Sequence, residues 1–263
     1  MLKNFLHVKL NSSTILRFIC LLSLSVSNFS YASWQFYDVN LHPVVTVGAG
    51  VVSSSTIGES QYFPIQNATT DEFYNYTASK GTQTSGLFQG FIGAETYLFP
   101  WIIQAGLDYS QTSPYNAKGT LVQGADANSA DTWQYHYSFF TRQLLFEGKL
   151  LYTVNNLFHP YVLVGLGAAF NKAYNYSTNA PPKVTHTRMY QNNDDADSFS
   201  YALGAGIDVD ISSKVRFGIG YRFSNLGTVK LGNATINGKS VGGTLNQNSL
   251  YTNALLAQLT WLI

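Results

Sequence analysis

Residues 199–224 read FSYALGAGIDVDISSKVRFGIGYRFS, and this stretch decides the fold. In its first half Phe199, Tyr201, Leu203, Ala205, Ile207, Val209 and Ile211 alternate with Ser200, Ala202, Gly204, Gly206, Asp208 and Asp210. In its second half Val215, Phe217, Ile219, Tyr221 and Phe223 alternate with Arg216, Gly218, Gly220, Arg222 and Ser224. A period of two marks a strand, and a run of about ten residues is what a tilted strand needs to cross a bilayer. One face suits lipid, while the other is small, polar and charged, as a narrow interior requires. Directly opposed residues of a hairpin share a face, so the turn must hold an odd number of residues. That sets Asp210 against Lys214 or Arg216, and Asp208 against Arg216 or diagonal to it, an ion-pair ladder in which the two aspartates face Arg216 and Arg222.

Six further segments carry the same alternation: 44–52, 87–98, 102–110, 137–152, 161–171 and 250–263. Between the eight, links of two to eight residues (Phe99-Pro100, 153–160, Ser212-Ser213) alternate with long ones at 53–85, 111–132, 172–198 and 225–249. The sequence therefore predicts an all-β protein, an eight-stranded antiparallel up-and-down transmembrane β-barrel with short periplasmic turns and four long extracellular loops. The long links are rich in Asn, Ser, Thr, Gly and Tyr, a composition expected of exposed, mobile connections.

Composition agrees. Charged residues make up 11% of the 263 residues and hydrophobic ones 45%, where a soluble domain would have about a quarter charged. A soluble β-sandwich also alternates apolar and polar positions, but it would carry Lys and Glu along its exposed faces. Here the polar strand faces are mainly Gly, Ser, Thr and Gln. Apart from a short N-terminal run, no apolar stretch approaches the roughly 20 residues of a spanning helix.

The N-terminus has Lys3, Lys9 and Arg17, the apolar run 18–26, and then Ser30-Tyr31-Ala32 with small residues where a signal peptidase reads. Residues 1–32 are expected to be a signal peptide and residues 33–263 the barrel domain. Removing those three cations from the fifteen Lys and Arg leaves twelve against fourteen Asp and Glu, a net charge near −2. Nucleic acid is not an expected partner. The only cysteine, Cys20, is lost with the peptide, so the mature chain has no thiol chemistry.

Parity places Glu95, Asp108, Glu147, Lys149, Asp208, Asp210, Arg216 and Arg222 on the inward faces. The interior of an eight-stranded barrel is only wide enough for side chains to fill it, so these groups are expected to pair with one another. Inward glycines at 48, 50, 93, 106, 165, 167, 204, 206, 218 and 220 make room for the long side chains. On the outward faces Trp101, Tyr109, Tyr152, Phe170, Phe199, Tyr221, Phe223, Tyr251 and Trp261 fall near strand ends, where interfacial girdles belong. Arg142 is the one outward charge in this register. Its guanidinium is expected near the outer rim, either as an ordinary arginine snorkelling to the interface or within reach of lipopolysaccharide phosphate.

The last strand ends Leu255, Ala257, Leu259, Trp261, Ile263 on one face, which resembles the C-terminal signal that hands a chain to the barrel-assembly machinery. With Gly218-Ile-Gly220-Tyr-Arg222-Phe, the alternating strands and the glycine-rich inward faces, residues 34–263 resemble the outer-membrane protein A-like and opacity-protein-like barrels. That resemblance implies the bacterial outer membrane, membrane lipid and lipopolysaccharide as surroundings, and a monomer without cofactor. The function it implies is a structural role in the envelope or adhesion to a host surface ligand through the loops. Tyr62, Phe63, Tyr74, Tyr76, Tyr174, Tyr176 and Tyr190 are the expected loop contacts, because tyrosine offers large area at low entropic cost.

Two other readings start from residues. His136-Tyr137-Ser138 puts a base and a nucleophile on one strand face and resembles the His-x-Ser element of lipid A deacylases. The Asn that follows the Ser in that family is Phe139 here, and Glu147 has the opposite parity, so no catalytic residue is expected. A transporter of small hydrophobic molecules would need an apolar lumen, which the eight inward charges argue against. His42, His159 and His186 lie in separate turns or loops, and Asp194, Asp195 and Asp197 lack a calcium-loop spacing, so no metal site is expected.

Overall fold

The computed structural model describes residues 34–36, 39–64, 73–124, 130–179 and 189–263; the expected signal peptide lies outside them. A short β1 (Trp34–Phe36) precedes β2 (Val39–Ser54), β3 (Gln61–Pro64), β4 (Phe73–Ala78), β5 (Thr84–Leu98), β6 (Trp101–Thr112), β7 (Tyr115–Gly124), β8 (Asp131–Tyr152) and β9 (Phe158–Asn179). After β10 (Tyr190–Gln191) come β11 (Asp194–Ser212), β12 (Val215–Asn225), the short β13 (Val229–Lys230), β14 (Ala234–Ile236), β15 (Lys239–Ser240) and β16 (Asn246–Gln247), and finally β17 (Tyr251–Leu262).

Eight of these close a ring. β2, β5, β6, β8, β9, β11, β12 and β17 pair antiparallel in that order, and β17 returns to β2 with Leu262 opposite Val44 and Thr252 opposite Ser54. Closure leaves no unpaired edge within the bilayer, where an unsatisfied backbone group costs several kcal/mol. The eight predicted strands are all present, and each observed strand reaches the predicted face. Leu107, Leu144, Phe146, Val162, Val164, Leu166, Leu203, Ile207, Ile219 and Leu255 stand exposed on the outside. Trp101 packs edge-on to Tyr152 at the periplasmic end, and Phe223 stacks on Tyr251 at the outer end.

The long links depart from expectation. β6 and β7 run along β8 as nearly one strand: Trp101 through Gln111 pair with Tyr152 through Arg142, and Tyr115 through Gln123 continue with Phe139 through Asp131. β9 also climbs past the membrane, and β8 pairs with it as far as Gln134 opposite Asn179, across an irregularity between His136 and Ser138. β4 adds to β7, and β3 adds to β4. The described residues of the segments expected to be mobile instead build a stranded extracellular head.

Alternation explains why. Trp133, Tyr135, Tyr137 and Phe139 on β8, Tyr115, Ala117 and Leu121 on β7, and Tyr74 and Tyr76 on β4 all point inward and are buried. They form one apolar core with Tyr176, Met189, Leu226, Leu231, Leu245 and Leu250 from the third and fourth loops. The fourth loop is clasped to the first, since Gly58 N donates to Gln247 Oε1 at 3.1 Å and Asn248 N to Glu59 Oε1 at 2.9 Å. β14 pairs with β10, tying the fourth loop to the third.

Candidate functional site: the lumen plug and the extracellular head

Near the periplasmic end the lumen is crossed by a chain of ionic contacts. Arg216 Nη1 donates to Glu95 Oε2 at 3.0 Å, and Arg216 Nε donates to Asp210 Oδ1 at 2.9 Å. Asp210 Oδ2 also meets His159 Nε2 at 2.9 Å, and His159 Nδ1 lies 3.2 Å from Thr153 Oγ1. Tyr97 donates its hydroxyl to Glu95 Oε1 at 2.5 Å, and Gln104 Nε2 donates to Glu95 Oε2 at 3.3 Å. Glu95 is thus wholly buried yet held by three donors.

A second cluster lies above it. Arg222 Nη2 donates to Asp108 Oδ1 at 2.7 Å, and Arg222 Nη1 lies 3.2 Å from Glu147 Oε2, an ion-pair contact poorly angled for a hydrogen bond. Lys149 Nζ donates to Asp208 Oδ2 at 2.6 Å and sits 3.7 Å from the centre of the Tyr161 ring. A ladder of amides and hydroxyls continues upward: Gln89 Nε2 donates to Asp108 Oδ2 at 2.6 Å, and Gln143 Nε2 donates to Ser200 Oγ at 2.7 Å. All eight predicted lumenal charges point inward, and all eight have a charged partner.

The partners differ from the expected hairpin ladder. Asp210 is opposite Arg216, one of its two expected partners, but not through an odd turn: Ser212 pairs with Val215 across a two-residue turn, and an irregularity between Asp210 and Ser212 restores the parity, while Asp208 is opposite Gly218 and pairs with Lys149. Arg222 reaches across the lumen to Asp108 and Glu147 and makes no pair with either hairpin aspartate. Their spacing accounts for this. Arg222 lies six residues beyond Arg216, roughly 20 Å along the strand at about 3.3 Å per residue, too far to meet the aspartates beside the turn. His159 was missed because β9 begins at Phe158, earlier than the predicted 161, and Tyr161, inside the predicted strand, because only charged side chains were singled out for the lumen. The signal was present, since both share the parity of Leu163 and Gly165.

Among the expected loop contacts the structure separates two groups. Tyr62 and Tyr190 are exposed, and Phe63 and Tyr174 are half-buried. Tyr74, Tyr76 and Tyr176 are buried, which corrects their assignment: they are head core and have no free area to offer a partner. Tyr76 and Tyr176 share a hydroxyl hydrogen bond of 3.1 Å, and Gln191 Nε2 donates to Tyr76 Oη at 3.3 Å. Burial pushes the Tyr76 hydroxyl up to about 12, the two hydrogen bonds opposing that rise. Burial also raises Tyr115, Tyr135 and Tyr137. Arg142 points outward with its guanidinium 5.1 Å from the centre of the Phe140 ring.

His136 and Ser138 both lie on the outer face, His136 exposed and Ser138 half-buried. The Ser138 hydroxyl donates to Asn116 Oδ1 at 2.8 Å. Among the described residues, no group of three or more His, Cys, Asp or Glu gathers to hold a metal ion.

The family follows from the whole chain. Residues 17–261 match the model of the outer membrane protein beta-barrel domain. The chain belongs to that family. The barrel is accordingly a protein of the bacterial outer membrane. Among solved structures it is similar to Neisserial surface protein A at 12% identity, covering 84% of this chain and 97% of the other with a TM-score of 0.39. It is similar to Ail, the attachment invasion locus protein of Yersinia pestis, at 10% identity over 84% of the barrel and 99% of Ail, TM-score 0.39. The outer membrane protease OmpT from Escherichia coli is 7% identical over 90% of the barrel and 99% of OmpT, TM-score 0.41. No curated protein sequence matches the chain.

Proposed function

We propose that the barrel is a non-enzymatic surface protein that recognises a partner through the outside of its extracellular head, the transmembrane ring serving as a rigid stand. The observation that carries this reading is that the described residues of the four long loops pack into one body. That body holds Tyr62 stacked on Phe73 and Tyr190 edge-on to Tyr176, with Tyr62 and Tyr190 presented to solvent. An exposed aromatic held rigidly loses little entropy on binding, the property that makes tyrosine an interface anchor. Ordering loops on binding would cost more. The sealed lumen supports the same reading by leaving the outer surface as the place where chemistry is unassigned.

Binding of whole cells to host-cell surfaces, compared between wild type and Tyr62→Ala/Tyr190→Ala, tests it. Loss of attachment with unchanged heat-modifiable gel mobility is the expected result; full attachment by the variant refutes it. Catalysis is tested separately. Lipid A from cells overexpressing the wild type is expected to keep the mass it has in the empty strain. An acyl chain lost with the wild type and retained with His136→Ala/Ser138→Ala would overturn the non-enzymatic assignment.

A further inference from the structure

Lys149 and Asp208 meet under conditions unlike those of a surface ion pair. Lys172 with Asp195 and Lys230 with Asp194 are exposed pairs, whereas the side chains of Lys149 and Asp208 are only 5% and 3% exposed. Lys149 Nζ on β8 lies 2.6 Å from Asp208 Oδ2 on β11, and the Tyr161 ring lies 3.7 Å from Nζ. Ile102, Leu151, Tyr161 and Leu163 form a buried apolar cluster in the lumen, and Leu151 shares the inward face of β8 with Lys149. Asp208 Oδ1 accepts no hydrogen bond and rests against Gly218, where any Cβ would collide with it. The amine is thus held against one carboxyl with bulk water shut out.

Glu147 supplies a third group. It is buried, two residues from Lys149 on the same face, and close enough for the two charges to interact. Its Oε2 accepts no hydrogen bond, and Arg222 Nη1 at 3.2 Å keeps the carboxyl turned into the lumen. Amide condensation needs an amine, a carboxyl and a group that carries protons between them. Holding amine and carboxyl in contact replaces a bimolecular encounter, which in well-oriented cases is worth an effective molarity of about 10⁵–10⁸ M. The arginine pairs cannot react in this way, because a guanidinium does not give up its proton in a protein.

From this juxtaposition we infer that Lys149 and Asp208 close an intramolecular isopeptide bond, a covalent cross-link between β8 and β11, with Glu147 as the proton carrier. Glu147 takes a proton from the Lys149 ammonium and passes it to the Asp208 carboxylate. The lone pair of the freed amine attacks Asp208 Cγ, forming the C–N bond and a tetrahedral carbon. Glu147 then moves a second proton from Nζ to the hydroxyl on that carbon. The C–O bond breaks, its electron pair leaves with the oxygen, and the group departs as water. Of the three hydrogens on Nζ, one stays on the amide and two leave in the water, no oxidant or reductant takes part, and Glu147 ends as it began. Exclusion of bulk water favours condensation over hydrolysis. Because β9 lies between β8 and β11, the bond encloses β9 and the third loop in a covalent ring, which restricts the unfolded chain as other cross-links do.

Intact mass of the full mature chain tests the cross-link. Chain purified unfolded in urea is expected to have the mass of its sequence, and the same chain folded into detergent micelles to lose the mass of one water as the bond forms. Proteolytic digestion of the folded sample is expected to release a branched peptide that carries both Lys149 and Asp208. Lys149→Arg, which keeps the ion pair, and Glu147→Gln are each expected to keep the full mass. After boiling, the wild type is expected to migrate ahead of Lys149→Arg, since a covalent ring stays more compact than an open chain. Heat-modifiable mobility reports that each variant is folded, and the mass of the folded wild type decides the matter if a variant does not fold. Full mass in the folded wild type, or a lost water that maps to any other residue, would overturn the cross-link. A folded Glu147→Gln that loses water as fast as the wild type would overturn the role given to Glu147.

Discussion

Arg216 concentrates the physics of the lumen in one side chain. It is buried, it holds Glu95 and Asp210 at once, and Glu95 has no access to solvent. Replacing it with Ala leaves Glu95 only the neutral donors Tyr97 and Gln104, and breaking such a pair costs about 3–5 kcal/mol. Val209→Thr on the outward face only replaces a methyl with a hydroxyl, at about 0.5–2 kcal/mol. Urea unfolding in lipid vesicles is expected to show a much larger fall in stability for Arg216→Ala; equal effects would mean that the network contributes little. Glycine placement is as strict in places. Gly93 and Gly106 are directly opposed, and a Cβ on Gly93 would lie 2.2 Å from Ala105 O and 2.7 Å from the Phe91 ring. Which residues enter the lumen was legible from parity alone. Which carboxylate meets which cation was not, because that depends on how distant strands are staggered around the ring: Lys149 and Asp208 are separated by 59 positions.

The strands inside the membrane were legible because lipid outside and a crowded polar lumen inside impose opposite chemistries on alternate residues. Above the membrane that contrast fades, and Asn, Ser and Thr on the outer face made 111–132 and 172–198 read as loops. The inward Trp133, Tyr135, Tyr137 and Phe139 kept the period of two throughout, and weighing one face at a time would have found it. This changes what loop surgery does. Loop length costs stability only weakly, so replacing 55–83 with a short turn is expected to leave the ring assembled and heat-modifiable. It also removes β4, with Tyr74 and Tyr76, from the head core. Limited proteolysis is expected to nick β7 and the upper half of β8 in that variant and to spare both in the wild type. Tyr76 gives the head a pH limit as well. Its folded-state value is raised by burial from 10.0 to about 12, so its contribution to stability is complete below pH 10 and is lost as the pH rises toward 12. Ultraviolet titration is expected to show this hydroxyl ionising together with protease sensitivity of the head, and Tyr76→Phe to remove that step; ionisation at the ordinary value would show an open head.

Taken as a whole molecule, the barrel is closed twice along one axis. The ionic network blocks the lower lumen, the aromatic core blocks the head, and a small gap lined by polar groups such as Ser110, Thr112, Thr141, Gln143, Ser224 and Thr252 separates them. Barriers in series have a consequence that neither has alone. Arg222→Ala loosens the upper cluster by freeing Asp108 and Glu147, yet an ion that passes them still meets an apolar core of Tyr, Trp and Leu. Truncating the first loop opens that core, yet Arg216, Glu95 and Asp210 still fill the lumen below. Planar-bilayer recordings are therefore expected to show no steady conductance from the wild type and none from the loop truncation alone. Measurable current is expected only when the truncation is combined with loss of both lumenal arginines, provided that variant keeps heat-modifiable mobility. A stable pore in the wild type would contradict the double closure and bring transport through the lumen back as the function, whereas current from the truncation alone would show that the ionic network, though fully paired, does not exclude ions.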